Sequence, residues 1–356
     1  EMGYKQFAYL PLFQEDAAKA AEPFILPSGK REIAMLTTRF LNNSHFSSMM
    51  LDRFQSEIDH LHSGMTIHRI SPMELKEKKL PLSLNIQHTA GIICFEVFDY
   101  DYAQMLCDLD VPLLFVDTPV MDMRPPLKAD RLYMENRMEI QNVVAHMVQR
   151  GKKRISFAGD KNHCQSFFER YMAYKDAVEH FGLTEGLNTC AMPSGQQNYP
   201  VSLYETIRRF KTMPDAFVCA NENIAVGLCH QAQQEGFKIP ADFCVSGFDN
   251  FDKASYYRPR ITTVSYEREV IAEAAMDLLV QIWGQNTTAD CKTVPVQMLF
   301  QDSCGCKPEQ VRSRSEYIED RIFQEVREID LHNEIMELKH NLIECEDYKQ
   351  MAQYFT

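Results

Sequence analysis

Between residues 33 and 299, short apolar runs alternate with longer stretches whose apolar positions recur at spacings of three and four. The runs at 33–38, 65–70, 91–95, 112–116, 155–158, 189–192, 216–219, 243–248, 261–264 and 294–299 are too short and too continuous for amphipathic helices and predict buried strands. Met49, Met50, Phe54, Ile58 and Leu61 lie on one helical face, as do Ala272, Ala275, Leu278 and Leu279. Further helices are predicted at 140–148, around Arg170, Tyr174 and Val178, at 201–210 and at 224–234, with glycines at 64, 151, 182 and 236 closing four of the helices. Strand and helix in strict alternation define an α/β fold with doubly wound parallel sheets. Lys76, Glu77, Lys78 and Lys79 form a charged stretch that reads as a solvated helix face.

Several runs end in a carboxylate: Glu96 and Asp117 follow two of them, and Asp249-Asn250 closes the run at 243–248. Open parallel sheets bind ligands at the carboxyl ends of their strands, which makes these acids candidate contacts; helix or loop capping is the structural alternative. After Asp249 the chain passes Pro259, and the β-branched stretch Ile261-Thr262-Thr263-Val264 predicts a crossing to a second lobe.

Composition narrows the function classes. The 356 residues, 45% hydrophobic and 24% charged, suffice for two or three ordinary globular domains. A formal net charge of -13 argues against the chain as a whole being a nucleic-acid-binding surface. Eleven cysteines follow no disulfide framework, and neither a signal peptide nor an apolar run near the ~18 residues of a membrane span is present, so a reducing cytoplasm is expected. Cys304-Gly305-Cys306 is a tight pair, but no second pair or neighbouring histidine in the sequence completes a zinc set, and a plain thiol-containing turn is expected there. No nucleophile elbow, phosphate loop or zinc-protease motif occurs, so neither an enzyme nor a cofactor is expected.

The run Val245-Ser246-Gly247-Phe248-Asp249-Asn250, an aromatic-rich loop, and Arg258-Pro259-Arg260-Ile261-Thr262-Thr263-Val264 together resemble the effector-binding core of LacI/GalR-type regulators. Met213-Pro214-Asp215-Ala216-Phe217-Val218-Cys219-Ala220-Asn221-Glu222 and the stretch from Gln149 through Gly151 to Gly159 agree in the expected order, so the resemblance covers roughly residues 31–306. It implies a two-lobed periplasmic-binding-protein-like clamshell: a linker at 1–30, a first lobe at 31–136 with 263–292, and a second at 137–262 with 293–306. It also implies effector contacts at His45, Phe46, Asp117 or Thr118, Arg170, Asn221 and Asp249. A guanidinium fork, a carboxylate, a carboxamide and an aromatic ring suit a hydroxylated ligand, a sugar or sugar derivative. The sequence departs from the family at Ser44, which stands where a proline is usual, and at Glu222, which replaces an aspartate.

Glu1-Met2-Gly3-Tyr4 is similar to the end of the family's DNA-binding headpiece, which implies a helix-turn-helix upstream and DNA as a partner through it. Where the family has a hinge helix, this chain has Pro11, Pro23, Pro27 and Gly29. At the other end, residues 307–356 carry Leu331, Ile335, Leu338, Leu342 and Cys345 at alternating spacings of four and three, the seam of a coiled coil, and predict an amphipathic helix that pairs a homodimer. The expectation is thus a cytoplasmic, dimeric, ligand-responsive transcriptional regulator with no membrane partner. The competing readings are the sensory half of a signalling protein, such as a GGDEF cyclase or a kinase, with output through the tail, and an exported transport-type binding protein.

Overall fold

In β1 (Glu32–Thr37), Ile33 and Met35 face one way and Ala34 and Leu36 the other, and all four are buried, so the strand must lie inside a sheet covered on both faces. The computed structural model describes residues 32–39, 46–60, 63–183, 213–251, 257–283 and 291–306. Chain contacts group 1–306 into one unit; the second unit, 307–356, lies outside the described residues, as do the expected tail helix, the segment 1–31, the strand at 189–192 and the helix at 201–210.

The first sheet joins β1 with β2 (Gly64–Arg69), β3 (Thr89–Phe95), β4 (Leu113–Val116), β5 (Asp130–Met134) and β10 (Cys291–Val294), all parallel, in the order β10-β5-β4-β3-β1-β2. On one face α1 (Phe46–His60) sets Met50, Phe54 and Ile58 against Ile33, Ile93 and Leu114, beside Ile271, Ala275 and Leu278 of α7 (Arg268–Trp283). On the other, α3 (Tyr100–Cys107) buries Tyr102, Ala103 and Leu106 against Ala34, Ile92 and Phe115. The charged stretch falls in and after α2 (Pro72–Glu77), started by a capping box between Ser71 and Glu74 and burying none of its residues.

The second sheet is β6 (Ile155–Ala158), β7 (Ala216–Cys219) and β8 (Cys244–Ser246), parallel in that order, with α4 (Met138–Gln149), α5 (Gln165–His180) and α6 (Glu222–Gln234) contributing to one core. The expected strand 294–299 divides in two. Its first residue closes β10 in the six-stranded sheet, and β11 (Gln297–Leu299) pairs antiparallel with β9 (Thr263–Ser265) between the sheets. Pro295 cannot donate to a ladder, and the break falls there. β5 and α3 are additions to the predicted elements, and residues 165–168, expected in a loop, open α5. Among the described residues no helix is long and apolar enough to cross a membrane.

Candidate functional site

Strand ends from the two sheets meet at a strained backbone. Glu96 after β3, Asp117 after β4, and Asp249 and Asn250 after β8 have φ of 51°, 61°, 92° and 47°. A non-glycine residue in the left-handed region costs of order 1 kcal/mol or more and persists where its surroundings over-determine it. Four such residues at the carboxyl ends of parallel strands mark the place where α/β sheets take ligands.

Arg170 organises the side chains. It lies on α5 and is 1% exposed, the largest fully buried side chain among the described residues. Its Nε donates to Asn136 Oδ1 at 2.9 Å, one terminal nitrogen to the Ala220 carbonyl at 2.7 Å, and the other to Asp249 Oδ1 at 3.5 Å. The plane lies 3.4 Å from the centre of the Phe248 ring. A guanidinium removed from water is tolerated only when its donors are matched, and here all three nitrogens are. Arg170 therefore holds Asp249 and Asn136 in place more than it presents free donors to a ligand.

Asp117 has a comparable task. Its Oδ1 accepts from the Thr118 amide at 2.8 Å and from the Ser166 amide at 3.1 Å, in the first turn of α5. The residue before that helix, Cys164, makes no capping bond of its own. A carboxylate from the six-stranded sheet thus caps a helix of the other lobe, and the Gln165 amide donates to the Thr118 carbonyl beside it at 2.9 Å. Thr118 is fully buried, its hydroxyl bonded to Tyr133 at 2.9 Å.

Asn221 caps α6 with Oδ1, 3.0 Å from the Ile224 amide. Glu222, 1% exposed, accepts through Oε2 from the Asn250 amide at 3.0 Å and the Thr263 hydroxyl, while Oε1 is buried with no hydrogen-bond partner. The extra methylene that distinguishes it from aspartate lets it reach the crossover strand β9. His45 lies outside the described residues; Phe46 opens α1, and its side chain is likewise outside them. The structure therefore brings Asp117, Arg170 and Asp249 together, and gives Thr118 and Asn221 to local hydrogen bonds.

Three further groups complete the site. The ring of His163 lies edge-on to Phe98, with centroids 5.0 Å apart, and 5.1 Å from Phe167. Burial, reinforced by the charge of Arg39, holds its pKa at about 4, so the imidazole is neutral and the three rings form an apolar wall. The acids are shifted the other way. Burial raises the Asp249 carboxyl to about 6, against the pull of Arg170 and with added repulsion from Asp117 and Glu96. Burial also raises Asp117, and pushes Glu222 well above the usual carboxylate range. Largely buried acids on opposite sheets, incompletely neutralised and beside an aromatic wall, have the perturbed chemistry common at functional sites and can exchange hydrogen bonds with a polar ligand.

Two parallel α/β sheets joined by crossover strands, with a polar site at their strand ends, define a two-lobed binding-protein core. A family model described as a periplasmic binding protein-like domain matches residues 144–304. The lactose operon repressor of Rhizobium radiobacter is 31% identical over 99 residues, 28% of this chain and 88% of that sequence. The HTH-type transcriptional repressor PurR of Vibrio atlanticus is 26% identical over 136 residues, 38% of this chain and 41% of that protein. The chain spans about half the length of the first curated relatives it matches. A periplasmic binding protein/LacI transcriptional regulator from Alkaliphilus metalliredigens, complexed with D-xylulofuranose, superposes with a TM-score of 0.63 at 16% identity, covering 77% of this chain and 99% of that one. The chain belongs to the LacI family of regulators with a periplasmic-binding-protein-like core.

Proposed function

We propose that the chain is the effector-sensing core of a cytoplasmic LacI-type transcriptional regulator, that its effector is a sugar or sugar derivative, and that it binds without turnover. The supporting observation is the meeting of two acids from different sheets at one place: Asp249 is paired with Arg170 at 3.5 Å, and Asp117 lies within the electrostatic reach of both. Each carboxylate accepts hydroxyl donors, and the Phe98, His163 and Phe167 wall offers an apolar face to a pyranose or furanose ring. A D-xylulofuranose complex of a structure with this fold agrees with that class.

In this reading Asp117 and Asp249 are direct contacts, and Arg170 is a positioning residue that sets the direction of Asp249. The ligand bridges the two sheets and selects the arrangement of lobes in which both acids are satisfied. A homodimer conveys that arrangement to DNA through a helix-turn-helix headpiece, as the repressor relatives suggest.

The test is a thermal-shift panel of sugars, sugar phosphates, nucleobases and amino acids. A ligand at one hundred times its dissociation constant stabilises by about 2.7 kcal/mol. We expect a sugar to raise the melting temperature of the wild type and to leave Asp249→Asn and Asp117→Asn unshifted. A hit confined to nucleobases or amino acids, or a sugar shift that survives both substitutions, refutes the reading.

A further inference from the structure

The pair Cys304-Gly305-Cys306, read from sequence as an isolated turn, is not isolated in space. His146 in the last turn of α4 brings its Nε2 to 3.4 Å from Cys306 Sγ, across 160 positions of sequence. The ligand atoms of His146, Cys304 and Cys306 all lie within 4.8 Å of one another. We propose that these three residues form a binding site for a thiophilic divalent cation of the zinc class, with two thiolates and one imidazole as ligands and the fourth position left to solvent.

The turn is built to hold its sulfurs in place. Asp302–Cys304 is a single 3-10 turn, and Gly305, at φ 80°, reverses the chain so that Cys306 returns toward Cys304. Ser303, fully buried, anchors that turn: its hydroxyl accepts from the Thr262 amide at 2.7 Å and donates to the Val245 carbonyl. Asp302 is ion-paired to Arg260 at 3.1 Å. On the facing helix the His146 ring packs on Phe300, with centroids 4.1 Å apart, which restricts its orientation.

A second observation points to a cation there. Arg150 donates from Nε to His146 Nε2 at 3.0 Å and from a terminal nitrogen to Cys306 Sγ at 3.1 Å. The imidazole nitrogen is therefore an acceptor, and its lone pair and that of the sulfur already converge on positive charge. A metal ion would take those lone pairs and displace the guanidinium, which is exposed and keeps a hydrogen bond to the Gly305 carbonyl at 3.2 Å. Two sulfurs and a nitrogen select zinc and its congeners over calcium or magnesium, which prefer oxygen. Binding releases the two thiol protons and involves no change of oxidation state. The consequence is a clip between α4 and the last turn before residue 307, separate from the strand-end site.

Cobalt(II) is the probe, because thiolate ligation gives a near-ultraviolet charge-transfer band and tetrahedral geometry gives strong visible bands. The full chain, reduced and stripped with chelator, is titrated with cobalt and then with zinc. We expect one equivalent to generate both bands and zinc to erase them. Cys306→Ser should abolish the charge-transfer band, His146→Ala should weaken the visible bands and lower affinity at least tenfold, and Cys291→Ser, at an exposed cysteine elsewhere, should change nothing. Circular dichroism and melting in the absence of metal check that each variant is folded. The proposal is overturned by no stoichiometric band in the reduced protein, by a band that persists in Cys306→Ser, or by one lost in Cys291→Ser.

Discussion

Replacing Asp249 by asparagine should make the ligand-free protein more stable at pH 8 while removing the proposed response to sugar. The Asp249 carboxyl is raised from 3.8 to about 6, chiefly by burial, with Arg170 only partly offsetting it. An acid whose folded pKa lies above its unfolded one binds more protons when folded. Its ionisation therefore opposes folding: stability is highest below pH 4 and declines as pH rises from about 4 through 6. At 1.36 kcal/mol per tenfold change, a rise of about two units amounts to about 3 kcal/mol above pH 6. Asparagine removes that cost, tolerates the 92° φ better than most residues, and keeps a carbonyl for Arg170, but it remains a buried amide. A net gain of about 1–2 kcal/mol is expected at pH 8, roughly 3–6 °C in melting temperature for domains of this size. At pH 4 the native carboxyl is itself protonated and the variant should gain nothing. Denaturant unfolding of both proteins at pH 4 and pH 8 isolates this group, since the other titrations cancel in the difference. A variant less stable than the wild type at pH 8, or a difference that does not change with pH, would show that Arg170 dominates the carboxylate and that the reasoning is wrong.

Two further substitutions test the surrounding framework. Glu222→Gln should leave stability at pH 7 within about 1 kcal/mol of wild type, because the buried acid retains its proton well above the usual range and glutamine reproduces a carbonyl acceptor for Asn250 and Thr263; urea denaturation checks this, and a loss beyond about 3 kcal/mol would mean the group is ionised. Gly159→Ala should cost roughly 2–3 kcal/mol by the same measurement, since a β-carbon there would meet the Ala220 Cβ at 2.5 Å on a backbone with φ 154°; a neutral result would mean that the β6 and β7 ends can move apart.

The alternation of short apolar runs and helical faces made the parallel sheets legible, because strands buried on both faces admit only such runs. β5 escaped for the same reason in reverse: in Asp130-Arg131-Leu132-Tyr133-Met134 two charges open the strand, and only its position between β4 and β10 buries it. α3 is short and has Asp99 and Asp101 at its start, so its apolar periodicity is slight; Asp99 is the helix cap, bonded to the Tyr102 amide. At the site, residue type did not reveal the direction of use. Arg170, Asn221 and Thr118 have ligand-binding groups, yet most of those groups are engaged with the protein's own backbone and side chains. The aromatic wall and the nearness of His146 to Cys306 depend on tertiary closure, which no local spacing encodes.

The cap that Asp117 lends to α5 gives the two lobes a common account of what lies between them. The helix start is completed by an oxygen from 49 residues away in sequence and from the other sheet. In the proposed reading, an effector that draws Oδ1 of this carboxylate to itself leaves the Ser166 amide unsatisfied, whereas one that binds only Asp249 leaves the helix end intact. Two molecules of similar affinity could therefore send opposite messages, one loosening α5 and the other fastening it, so that inducer and co-repressor would differ by which acid they address rather than by how tightly they bind.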